Sequence, residues 1–162
     1  MSNMELPDRS AVLDHVAELM ARHRSSSEHA RATDGRPALL VIHVEGHAAL
    51  CARDPLGSEA AMREVARRLD RLVRSGDLLG RLAPDMLVVA VDISPAVAGA
   101  LVERVRGAVA MPVEVAGELI SLVATIGLAL ADDAQDGTAA DAELLLGRAE
   151  ADAALQRGGG PA

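Results

Sequence analysis

The sequence predicts an α/β (α+β) fold, a mixed sheet with helices packed on it. Three observations carry this. Short apolar runs rich in β-branched residues alternate with segments whose apolar residues recur at helical spacing. Turn residues sit at the boundaries between them. The order reads α-β-α-β-β-α-β-β-α, with no internal repeat. At 162 residues the length is that of one domain, and such a chain buries about two-thirds of the surface it exposes when unfolded.

The first helix is expected over residues 7–24. There Val12, Val16, Leu19 and Met20 form an apolar stripe behind the turn Leu6-Pro7-Asp8-Arg9-Ser10. Residues 24–36 are polar and Ser-rich and include Asp34-Gly35, the composition of a loop. Residues 38–44 are continuously apolar and read as a buried strand. A helix follows over residues 59–74. Met62, Val65, Ala66, Leu69 and Val73 face inward, and Arg63, Arg67 and Arg71 form a solvated face beside Glu59, Glu64 and Asp70.

Residues 78–82 and 86–91 are two strands of a hairpin that turns at Ala83-Pro84-Asp85. Ser94-Pro95 supplies the N-cap and first position of a helix that carries Val97, Leu101, Val105 and Val109 inward. Residues 113–115 and 119–130 flank Gly117 as a second hairpin, and Asp136-Gly137-Thr138 leads into a last helix over 139–156. Gly158-Gly159-Gly160 reads as a frayed end, because no helix follows to offer an anion-binding N-terminus. The organisation expected is an N-terminal extension (1–5), one domain (6–157) and a flexible Gly-rich tail (158–162).

Composition excludes several functions. Half the residues are apolar, yet Phe, Tyr and Trp are absent, which rules out aromatic base-stacking platforms, aromatic cages and tyrosine nucleophiles. All 16 basic residues are Arg, so Schiff-base and P-loop lysines are absent. A net charge of −8 argues against bulk nucleic-acid or anionic-membrane binding; a small anion has to be met by a local arginine cluster. The lone Cys51 makes no intramolecular disulfide. The N-terminus lacks a signal-peptide pattern, and no apolar run is long enough to span a membrane. A cytoplasmic location is expected. No G-x-S-x-G elbow or dinucleotide-binding glycine pattern is present.

Three segments, in order and in spacing, resemble the GGDEF domain of bacterial diguanylate cyclases over residues 6–157. Leu6-Pro7-Asp8-Arg9 before a helix is similar to the family's opening LPNR. Arg74-Ser75-Gly76-Asp77 followed by Arg81-Leu82-Ala83-Pro84-Asp85-Met86-Leu87 is similar to its RxxD…RLGGDEF stretch. Val123-Ala124-Thr125-Ile126-Gly127-Leu128-Ala129 is similar to its VSIGIA strand, with Asp-Gly-Thr and a terminal helix after it. The resemblance implies a nucleotidyl-cyclase-like fold with a sheet of about five strands.

Family members join two GTP molecules into cyclic di-GMP, two domains meeting face to face with GTP held on two divalent cations. At the position of the metal-binding aspartate that ends the family's first strand, this sequence has His43, and imidazole is a poor substitute for the hard oxygen ligands Mg²⁺ takes. The signature reads Ala83-Pro84-Asp85-Met86-Leu87: Asp85 keeps one carboxylate, Met86 removes the next, and Pro84 fixes φ and deletes an N–H. The guanine-reading Asn and Asp fall near Cys51 and Ala52, and the triphosphate-binding Lys near Gly159. The resemblance thus implies a degenerate cyclase: no enzyme, no Mg²⁺ and no resident cofactor.

What persists is Arg74-x-x-Asp77, which in the family is the inhibitory site for cyclic di-GMP. An arginine fork pairs with phosphate or with guanine O6 and N7, and a carboxylate accepts from guanine N–H groups. Arg104 and Arg106 are candidates for a second arginine, stacking a base on a guanidinium plane. The alternative reading makes Arg74 a helix end favoured by the dipole, Gly76 its terminator and Asp77 a turn residue. Asp85 as a plain turn residue is likewise in keeping with turn chemistry. His43, Glu45, His47 and Cys51 straddle a strand end and a loop, where i,i+4 spacing does not gather side chains for zinc. His15, His23 and His29 are expected to be exposed and without a role.

Three functions follow. The first is an inactive GGDEF-like receptor for cyclic di-GMP. The second is a nucleotide-independent interaction or dimerisation module, as a homodimer or acting on a partner protein in trans. The third is a residual GTP enzyme around Asp85, Glu45 and His43.

Overall fold

In the computed structural model the described residues are 5–27, 35–132 and 136–158. Asp8 opens the first helix by accepting the Ala11 N–H on Oδ1 at 3.0 Å, a side-chain N-cap. That helix, α1, spans Arg9–Ser27, and β1 spans Arg36–Glu45. Two helices follow, α2 (His47–Arg53) and α3 (Pro55–Asp70), then the hairpin β2 (Leu78–Ala83) and β3 (Met86–Ile93). After α4 (Pro95–Ala110) come β4 (Val113–Val115), β5 (Glu118–Ile120), β6 (Val123–Leu130) and α5 (Ala139–Gly158).

The sheet has four strands in the order β2-β3-β1-β6, with every neighbouring pair antiparallel; β4 and β5 form a separate two-stranded ribbon. The expected sheet of about five mixed strands is corrected on both points. Residues 119–130 do not run as one strand. Leu122 turns into the core while Val123 is 61% exposed, which breaks the segment between β5 and β6. The β4–β5 ribbon turns at Ala116-Gly117, both with positive φ (51° and 82°), the geometry of a tight two-residue hairpin.

Central β1 explains the unbroken apolar run, because both its faces are covered. Leu39 and Val41 point to α1 and α5, meeting Val16, Leu145 and Leu146. Leu40 and Ile42 point to α3 and α4, meeting Met62, Leu69 and Val105. Each such buried aliphatic side chain contributes about 1.5–3 kcal/mol of burial. Gly127 lets α5 lie directly on β6: a Cβ there would overlap the Ala149 carbonyl and the Ala153 backbone.

Two boundaries depart from expectation in ways that shape the site. Helix α3 starts at Pro55, not at residue 59, because Asp54 is its N-cap and accepts the Gly57 N–H at 2.9 Å. It also ends at Asp70, four residues early, which frees Arg74 and Asp77 for a turn. In α4 the inward residues are Ala98, Val105 and Val109; Val97 is 52% exposed, contrary to expectation, and lies beside a cavity. Short α2, introduced by Gly46 at φ 88°, was not anticipated by the periodicity. Residues 1–4, His29, Asp34 and the glycines 159 and 160 lie outside the described residues.

Candidate functional site

The two ends of the β2–β3 hairpin hold the candidate chemistry. At the turn, β1 places His43 opposite Met86. Its imidazole is 8% exposed and lies between two carboxylates: Nδ1 contacts Glu45 Oε1 at 3.1 Å and Nε2 contacts Asp85 Oδ2 at 2.9 Å. An ionised carboxylate only accepts, so a ring nitrogen that carries a proton donates to the carboxylate beside it. Glu45 Oε1 also accepts from Thr125 Oγ1 at 3.1 Å and from Arg157 Nε at 3.0 Å. The Asp85 carbonyl accepts the Val44 N–H at 2.8 Å. One cluster thereby ties together β1, the hairpin turn, β6 and α5.

Arg81 anchors the same turn to α3. Its guanidinium donates to both Glu59 oxygens, at 2.7 and 3.1 Å, and to the Pro84 carbonyl at 2.6 Å. The Arg81 hydrogen bond holds the Glu59 carboxyl below its usual range, against the opposing effect of burial. Such a set of donors does not suit Mg²⁺, which takes near-octahedral oxygen ligands. The imidazole sits where oxygen would be needed, and the nearest carboxylate oxygens already accept from it. Among the described residues no group of three His, Cys, Asp or Glu is arranged to hold a metal ion.

At the other end, α3 gives way to a turn that closes with Asp77 N–H to the Arg74 carbonyl at 3.0 Å. Gly76 has φ 95°, the conformation a type II turn reserves for glycine at its third position. Asp77 Oδ2 accepts the Arg74 N–H at 2.8 Å, and His15 Nε2–H on α1 donates to the Gly76 carbonyl at 2.8 Å. A turn, not a helix, presents Arg74 and Asp77.

Beside this turn is a cavity of about 270 Å³ between α3, α4 and β3. Its walls are aliphatic, with Val91, Val97, Leu101 and Val105 among them; Arg74, Asp77 and Arg104 bring charge to its lining. Neither the Arg74 nor the Arg104 guanidinium has a hydrogen bond or ion pair among the described residues. Arg106 is elsewhere and pairs with Glu103.

A family model described as "Diguanylate cyclase, GGDEF domain" matches residues 5–158. The chain belongs to the GGDEF family. A sensory box/GGDEF family protein from Caulobacter crescentus superposes with a TM-score of 0.82 at 23% identity, covering 96% of this chain and 95% of that one. The GGDEF domain of DgcB from the same organism, solved in complex with c-di-GMP, gives 0.81 at 16% identity, covering 96% and 85%. Diguanylate cyclase SiaD from Pseudomonas aeruginosa, solved with its activator SiaC, gives 0.80 at 22%; this chain covers 56% of it and 96% of itself is matched. These likenesses show the fold. No curated protein matches the chain in sequence.

Within this GGDEF domain the signature positions Ala83, Pro84, Asp85, Met86 and Leu87 form the end of β2, the β2–β3 turn and the start of β3. Arg74, Asp77 and Arg104 come together at the cavity and Arg106 does not. Cys51 and Ala52 lie on α2. His47 is buried there, and Cys51 is half-buried. His15, expected to have no role, holds the Gly76 carbonyl; no spacing in the sequence relates residues 61 apart. Arg157 and Thr125 reach Glu45 from 112 and 80 residues away, equally beyond local pattern. Among the described residues no helix is long and apolar enough to cross a membrane.

Proposed function

We propose that this GGDEF domain is a catalytically inactive receptor that binds cyclic di-GMP through Arg74, Asp77 and Arg104. The observation that carries the reading is the convergence on one aliphatic cavity of two guanidiniums without partners among the described residues, in a chain of net charge −8. A cyclic dinucleotide supplies the complement: phosphates for the arginine forks and purines for the apolar walls. That the DgcB GGDEF domain was solved in complex with c-di-GMP supports this ligand class. Inactivity is supported by His43 and Met86, since phosphoryl transfer without metal leaves the developing charge unopposed.

A second reading, an interaction module acting on a protein partner, is favoured by the apolar side chains of Leu56 and Leu119, 85% and 74% exposed. Calorimetric titration of cyclic di-GMP into the protein and into Arg74→Ala separates the two. Micromolar or tighter binding that the substitution abolishes is the expected result. Absence of binding to the unaltered protein, checked by equilibrium dialysis, overturns the receptor reading. Turnover of GTP with Mg²⁺ or Mn²⁺ overturns the inactivity.

A further inference from the structure

We infer that the outer face of α5 is the contact surface for a second copy of this chain, the two helices lying side by side and parallel. The contact is independent of any ligand. Exposure is the first argument. Leu145, Leu146 and Ala149 fill the inner face of α5, against the sheet and α1. On the side away from them a surface helix is expected to be polar. Leu144 and Leu155 stand there instead, 61% and 73% exposed, eleven residues apart and so along one line of the helix.

Spacing is the second argument. Ala140, Leu144, Gly147, Ala151, Ala154 and Gly158 recur at alternating steps of four and three, all are exposed, and none carries a polar side chain. That is the pattern of a seam along which two helices pack side by side. A Cβ at Gly147 would meet nothing within 4 Å among the described residues, so the middle of the seam is open to a neighbour's side chain.

Charge is the third, and it sets both partner and direction. Glu143 flanks one side of the seam and carries no hydrogen bond or ion pair among the described residues. Arg148 flanks the other side, with contacts of 3.4 Å to the Leu130 carbonyl and 3.5 Å to Asp132 Oδ2. In a parallel pair the two flanks meet crosswise, so Glu143 of each copy comes beside Arg148 of the other, twice by symmetry. Turned antiparallel with the seam matched to itself, like flanks meet, and Arg148 and Glu150 each approach their own counterparts. Arg157, in the last turn of α5, reaches Glu45 beside the signature turn. A twofold axis along α5 therefore leaves both signature turns at one end of the pair, pointing the same way and not at each other.

A single helix pair is a small interface, so the dimer is expected to be weak, and sedimentation of the full chain is followed up to about 1 mM. The unaltered protein should show a reversible monomer–dimer equilibrium without nucleotide. Ala151→Glu, at an exposed position, should raise the dissociation constant by about tenfold or more, with urea unfolding showing that the fold is kept. Glu143→Arg and Arg148→Glu should each weaken the dimer about fivefold, and the two together should restore it to within about twofold. In a Cys51→Ser background, Ala151→Cys should cross-link to its own counterpart on oxidation, and Ala110→Cys, exposed on α4, should not. A protein that stays monomeric throughout overturns the inference, and so does a dimer indifferent to Ala151→Glu. A dimer that the double reversal fails to restore, or that Ala151→Cys fails to cross-link, overturns the parallel arrangement.

Discussion

The two ends of the β2–β3 hairpin use ionic groups in opposite ways. At the turn, His43, Glu45, Asp85, Arg157, Arg81 and Glu59 are all joined to one another or to backbone carbonyls. At the opposite end, Arg74 and Arg104 face a cavity with no partner among the described residues. The first arrangement holds strands and helices together, and a ligand entering there has to displace bonds already made. The second requires no such displacement, so the full charge-assisted interaction is available to an anion. Within one domain, the place that carries the family's signature hairpin is the closed one, and the open one lies at the far end of the same two strands.

Five substitutions test the contrast between the two ends. The largest effect is expected at the closed end. His43→Ala leaves the Glu45 and Asp85 carboxylates facing each other without the imidazole that bridges them, and urea unfolding should show a loss of about 3 kcal/mol. An unchanged midpoint would mean that the cluster bears no structural weight. At the open end, Arg104→Ala should weaken cyclic di-GMP binding by about 10- to 100-fold, roughly 1.4–2.8 kcal/mol, and shift stability by no more than about 0.5 kcal/mol. Arg106→Ala, whose side chain pairs with Glu103, should leave the affinity within about twofold.

Smaller again is His15→Leu. Removing the donor to the Gly76 carbonyl should lower stability by about 1 kcal/mol and weaken ligand binding several-fold, because the turn that presents Arg74 loosens. Binding that is indifferent to this change would show that the turn holds itself. The least effect concerns Glu59. Arg81 lowers its folded pKa, so its contribution is fully present above the unfolded carboxyl range of about 4.3 and is lost as the pH falls through the lower folded value. Glu59→Gln should flatten the stability profile in that acid window. With half its side chain exposed, solvent screening keeps the difference small.

The fold was legible wherever a local period set it. The stripe Val12, Val16, Leu19 and Met20 and the run from Ala38 to Val44 are buried as their patterns require. Helix α3 was misplaced at both ends for local reasons as well: Asp54-Pro55 is an N-cap and first position that the composition of residues 53–57 obscured, and the Gly76 turn needs the seven residues after Asp70 outside the helix. The candidate site was legible only in part. Arg74 and Asp77 stand three residues apart, close enough for a local motif to pair them. Arg104 lines the same cavity because α4 packs beside it, which is not written in any spacing. At the hairpin, substitution at His43 was visible, but its position between Glu45 and Asp85 follows from strand register across 42 residues.

The wholly aliphatic composition of the core and cavity has an optical consequence. With no Phe, Tyr or Trp, the polypeptide is blank across the near-ultraviolet band in which purines absorb. A nucleotide held by this protein is then its own reporter. Absorbance counts it directly, and any circular dichroism in that band belongs to a base placed in chiral surroundings. A tryptophan introduced at the rim of the cavity would be the molecule's single fluorophore, with every change in its emission assignable to one place.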